Sequence, residues 1–170
     1  MKVALPVVLA LLSAVAWAQS GPSDPQIAGI VVTANQIDID AGKLAKSRSK
    51  NKEIQAFADL MIADHTAVNK QAVALATKLK VKPEDSDTSK SLKDGAKKHT
   101  ASLQKLSGAA FDKAYIDHEV AYHQAVLDAV DKVLIPSAQN AELKALIVKV
   151  RPAFVAHMEH AKMVQSKLGN

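Results

Sequence analysis

The chain has 170 residues, 48% of them hydrophobic, with 22 lysines and arginines against 17 acidic residues and no cysteine. The missing cysteine excludes disulfides, thiolate metal sites, a cysteine nucleophile and a cysteine-linked lipid anchor. The net charge of +5 rests on lysine, with Arg48 and Arg151 the only arginines; without arginine forks among aromatics it describes a solvated surface, and no nucleic-acid partner is expected.

At the N-terminus, Lys2 precedes an apolar run from Val3 to Val15 interrupted only by Pro6 and Ser13. Ala16-Trp17-Ala18 then spaces small residues two apart, the pattern a signal peptidase reads. Residues 1–18 are therefore expected to be a signal peptide of a bacterial protein, periplasmic or otherwise exported. The run falls short of the roughly 20 residues a membrane span needs, and no transmembrane segment is expected after cleavage. Residues 19–25 read as a linker and 26–168 as one domain, large enough to bury roughly 70% of its unfolded surface.

Helix one is expected from about Pro25 to Ala45 or Lys46, with Asp24 as N-cap and Pro25 at its first turn. A turn at 47–51 leads to helix two, which runs to about Lys80 and ends before Pro83. A short helix from about Thr88 to Lys105 lies within the long 82–109 connection. Helix three spans about Ala110 to Leu134 and stops at Pro136; helix four spans about Ala138 to Leu168, with Pro152 inside it. Strand signals are nearly absent. Two hairpins joined by one long crossover, itself carrying a short helix, make an all-α, ferritin-like four-helix bundle.

Four polar residues occupy core-facing positions on these helices. His65 continues the stripe Ile54, Phe57, Ala58, Met61, Val68, Ala72. His123 interrupts Ile116, Val120, Leu127 and Val130, and His157 interrupts Val150, Phe154, Ala161 and Val164. Asp38 falls on the line Ala34, Ile37, Ala41, Leu44. Burying such groups costs free energy unless they satisfy one another or hold something. Counted from the expected turns at 1.5 Å per residue, Asp38 and His65 differ in height by roughly 7 Å, and His123 and His157 by roughly 12 Å. That allows one shared site or two smaller pairs. Glu119, four residues before His123, shares its face and completes the candidate metal set of His65, His123, His157, Asp38 and Glu119. Zinc, iron, manganese and copper are all admissible divalent ions for imidazole and carboxylate ligands.

The absent motifs narrow the chemistry. No Glu-x-x-His occurs, which disfavours a ferroxidase-type di-iron centre. His-Glu-x-x-His, Gly-x-Ser-x-Gly and a glycine-rich phosphate loop are also missing. Asp64-His65 and Asp117-His118 are sequence neighbours, which a helix points about 100° apart. His99 and His118 are assigned to surface or boundary positions, and His160 to the helix surface.

Several segments carry a resemblance. Ala34-Asn35 with Gly42-Lys43-Leu44-Ala45, Phe57-Ala58 through Met61 to Asp64-His65-Thr66, Leu106-Ser107-Gly108 through Phe111-Asp112 to Tyr115, His123-Gln124, and Pro152 to His157 resemble the bacterial exported domain-of-unknown-function family 4142. The likeness covers about residues 26 to 168. It implies a ferritin-like bundle in the envelope, without an agreed activity, whose polar helix positions map to Asp38, His65, His123 and His157. The family pattern often has glutamate where this chain has Asp38.

Two functions follow from the residues. One is a metal-binding bundle serving envelope metal handling or stress protection. The other is a metal-free structural or interaction module, whose histidines bond to Tyr115, Tyr122 or carboxylates and set helix register. A redox enzyme of ferritin type is the weaker third reading, and no catalytic residues are assigned.

Overall fold

A computed structural model describes residues 21–168, all helical and without a strand among them. The signal peptide expected at 1–18 and the first residues of the expected linker lie outside the described residues. Helix α1 is Asp24–Arg48, α2 Lys52–Lys78, α3 Asp87–Leu103 and α4 Gly108–Ala129. A π-helical turn, Val130–Leu134, continues α4 into the single turn α5, Ile135–Ser137; α6 is Ala141–Leu168.

The helix ends differ from expectation in instructive ways. Ser23, one residue before Asp24, is the N-cap of α1, closing a capping box with Gln26. Asp24 instead accepts the backbone N–H groups of Gln139 and Asn140, tying the start of α1 to the turn before α6. At the end of α2, Val81 N–H reaches the Ala76 carbonyl while Lys80 takes a left-handed φ of 56°. This is a Schellman closure with lysine where glycine is usual. Pro136 does not stop helix three. The π turn absorbs the missing donor, the helical path runs through to Ser137, and the turn falls at 138–140. Pro152 sits inside α6 as expected.

Helix α1 packs along α2, and α4 along α6; α2 meets α6, α1 touches α4, and α3 lies against α1 and α4. Gly42 lets α1 approach α2 closely, since a Cβ there would sit 3.1 Å from the Ala58 carbonyl oxygen. Gly29 does the same for the loop after α2, whose Glu84 backbone occupies the space a side chain would need. Arg48 extends from the end of α1 to the Leu106 carbonyl at 2.7 Å and lies over the Phe111 ring, pinning the α3–α4 connection.

The apolar interior falls into three clusters. One gathers Phe57, Met61, Phe111, Tyr115 and Val164 near the α1–α2 turn. A second, with Ile27, Leu134, Leu143 and Ile147, lies at the opposite end. Between them Val68, Leu127, Val150, Phe154 and Met158 form a third. The buried polar residues of the core stripes interrupt this interior. No described helix is long and apolar enough to cross a membrane.

Candidate metal centre

All five residues singled out from the sequence are buried: Asp38, His65, Glu119, His123 and His157 are each at most 3% exposed. They form two overlapping groups. His65, His123 and His157 each offer a ligand atom within 4.8 Å of the others, and so do Asp38, Glu119 and His123. The ring centroids of the three histidines are 5.1 to 5.6 Å apart. One connected site replaces the two alternatives left by the height count. The reason is the turn. With the second hairpin turning at about 139, His123 lies 16 residues before it and His157 18 after, an offset of roughly 3 Å.

Each ring has one nitrogen committed. His65 Nδ1 lies 2.7 Å from Asn35 Oδ1, and the Asn35 amide is oriented by its own Nδ2–H donating to the Val31 carbonyl at 2.8 Å. An amide oxygen only accepts, so His65 carries its proton on Nδ1. His123 Nδ1 donates to the Glu119 carbonyl at 3.0 Å. His157 Nε2 donates to Asp64 Oδ2 at 2.9 Å. The remaining nitrogens, His65 Nε2, His123 Nε2 and His157 Nδ1, are buried with no partner. In the neutral ring each is a lone pair.

Electrostatics keep the rings neutral. Burial, then the neighbouring imidazoles, lower His65 to about 2. Burial lowers His123 to about 4, partly offset by its bond to the Glu119 backbone. His157 is lowered by burial, with Asp64 opposing the shift. The carboxyls move the other way: burial raises Glu119 to about 8, and burial followed by the charge of Glu119 raises Asp38. Asp38 Oδ2 is 3.5 Å from His65 Nδ1, a contact rather than a hydrogen bond, because that proton points to Asn35. Three ring lone pairs thus stand without a hydrogen bond, beside two carboxyls raised toward their protonated form.

Neither tyrosine relieves it. Tyr122 donates to the Ala34 carbonyl at 3.2 Å. Tyr115 lies beside Glu119, but its hydroxyl closes no hydrogen bond of good geometry. His160 packs edge-on against Phe57, and Met163 is exposed, which takes both out of a thioether-assisted copper site. His99 and His118 are half-buried and stacked on each other at 3.4 Å, the boundary positions expected.

Two participants were not singled out from the sequence. Asn35 stands as many residues before the turn at 50 as His65 stands after it, so the height count points to it directly. Asp64 was set aside because it adjoins His65 in sequence; its partner is on another helix.

A cavity of about 170 Å³ adjoins the cluster, with Asn35, Asp38 and His65 in its wall. The rest of the wall is mostly apolar, and the space is partly open to solvent.

No curated protein and no solved structure matches the chain. A family profile described as "Domain of unknown function (DUF4142)" matches residues 10–164, most of the chain, and the protein belongs to that family.

Proposed function

We propose that the protein is an exported, ferritin-like four-helix bundle that binds a divalent transition metal at the histidine cluster, serving envelope metal handling or stress protection. The observation that carries this reading is the set of three buried imidazole lone pairs, none of them closing a hydrogen bond, on rings that each offer a ligand atom within 4.8 Å of the others. A cation is the partner such an arrangement lacks. His65, His123 and His157 would hold it, with Glu119 or Asp38 as the further ligand. A tetrahedral zinc site needs nitrogens about 3.3 Å apart, so binding would draw the rings inward. The pattern at residues 1–18 supports export. The α1–α2 and α4–α6 pairs, joined by the connection that carries α3, support the ferritin-like arrangement.

The second reading, a metal-free structural or interaction module, draws on the committed nitrogens: the Asn35–His65 and Asp64–His157 bonds each join two helices and fix their register. Elemental mass spectrometry of the chain, purified from the periplasm without chelator or His-tag, separates the two. Near-stoichiometric zinc, iron, manganese or copper, lost in His65→Ala, His123→Ala and His157→Ala with the helices intact, is the expected result. Repeated absence of metal, with no melting shift when those ions are added, would overturn the metal reading in favour of the module.

A further inference from the structure

The cavity beside the cluster shares Asp38 and His65 with the proposed ion site, and the rest of its lining selects a different ligand. It is elongated. On α1 alone its wall runs from Asp24 to Asp38, a span of about 21 Å. All the long helices line it, and the room exists because Ala34, Ala72, Ala76 and Ala129 stand where neighbouring stripe positions carry larger residues. An apolar void of about 150 Å³ admits a benzene ring; one of about 170 Å³ in an elongated outline suits a chain of about six to eight carbons.

Its two ends differ. At the far end Asp24 and Asn140 are bonded to each other, Asp24 accepting from the Asn140 backbone, and the Asn140 side chain caps the start of α6. At the cluster end, Asp38 Oδ2 stands 3.5 Å from His65 Nδ1, and His65 Nε2 has no partner. No lysine or arginine lines the cavity. An anionic head would therefore be buried with no cationic side chain to neutralise it. A neutral hydroxyl can donate into that end at no such cost.

We propose that this cavity is a binding site for a slender aliphatic chain bearing one neutral, hydrogen-donating head, with the head seated at Asp38 and His65 and the chain running along the alanine-lined space toward Asn140. The head shares Asp38 and His65 with the proposed ion, so the chelator-treated protein tests this site whether or not an ion binds.

The test uses the full mature chain, both chelator-treated and zinc-treated, with 1-hexanol and hexanoate as probes in isothermal titration calorimetry and ligand-observed NMR at pH 7.5. Saturable 1:1 binding of 1-hexanol is expected in the chelator-treated protein, at least tenfold tighter than hexanoate, and zinc, where it binds, should weaken it by competing for Asp38 and His65. Ala72→Leu and Ala34→Leu, which fill the space from two different helices, should each abolish binding while the protein stays folded. Either variant suffices if the other fails to fold. Absence of saturable 1-hexanol binding would overturn the site. Binding unchanged in the folded filling variants would overturn its location, and equal affinity for hexanoate would overturn the neutral-head assignment.

Discussion

Asp64 on α2 and His157 on α6 are joined by a 2.9 Å hydrogen bond that places the ring proton on Nε2 and leaves Nδ1 facing the interior. A carboxylate behind a histidine in this way fixes the ring's tautomer and orientation and raises its basicity as a ligand. Removing it should act on the ion before it acts on the fold. Asp64→Ala is expected to weaken metal binding by about 10- to 100-fold, read by competition with a chromophoric chelator, with the helical circular dichroism unchanged. Asp64→Asn, whose amide oxygen still accepts the proton, should lose less.

Asn35 has the complementary role at His65. In Asn35→Ala the His65 N–H would be left buried without an acceptor, at a cost of about 1–3 kcal/mol. Urea denaturation of the metal-free protein should show that loss. A variant as stable as the parent would mean that another acceptor takes the proton.

The pH dependence of the chelator-treated protein follows from the direction of the shifts. Burial holds His65 at about 2, His123 and His118 at about 4, and His157 below its usual 6.5. Below 6.5 the unfolded chain takes up protons that these folded rings refuse, so stability falls as pH drops from 6.5 toward 4. Glu119, raised from 4.5 to about 8, and the raised Asp38 act in the opposite sense. Their folded forms keep a proton that the unfolded chain releases, so their contribution is present at low pH and is lost as pH rises toward 8. Five rings, counting His99, which burial also lowers, outweigh two carboxyls below 6.5, and above it the carboxyls act alone. Melting temperature should therefore peak near pH 6.5. Added zinc should reverse the alkaline decline, because the ion favours ionised carboxyls. A melting temperature that climbs steadily from pH 5 to 8.5 without metal would contradict this.

The contact of Gly29 with the Glu84 backbone makes a purely steric prediction. Even alanine there forces the loop after α2 away from α1 and strains the Glu84 N–H bond to the Pro25 carbonyl. Gly29→Ala should cost about 1–3 kcal/mol and open residues 79–86 to limited proteolysis. Metal affinity, set one helical segment away, should not change.

The all-helical class and the buried positions were legible because apolar stripes with single polar interruptions are strong signals at helical period. His65, His123 and His157 each broke such a stripe, and all three face the interior. What misled the height count was Pro136. A proline normally ends a helix, but here a π turn carries the chain past it and moves the turn by about three residues, enough to shift His123 by about 9 Å relative to His157. Asp64 was hidden for another reason. Sequence adjacency to His65 drew attention to a pairing that helix geometry forbids, while its real partner is 93 residues away. No one-dimensional pattern reports a hydrogen bond between helices that are not consecutive.

His123 belongs to both groups of ligands, yet its Nδ1 is spent on the Glu119 carbonyl. Only one nitrogen of that ring is available, and it can serve one ion at a time. At the proposed site His123 would therefore serve a single ion, in one group or the other but not in both at once. The two groups would then be alternative seats that share one ring, and a move between them would exchange two imidazoles for two carboxylates.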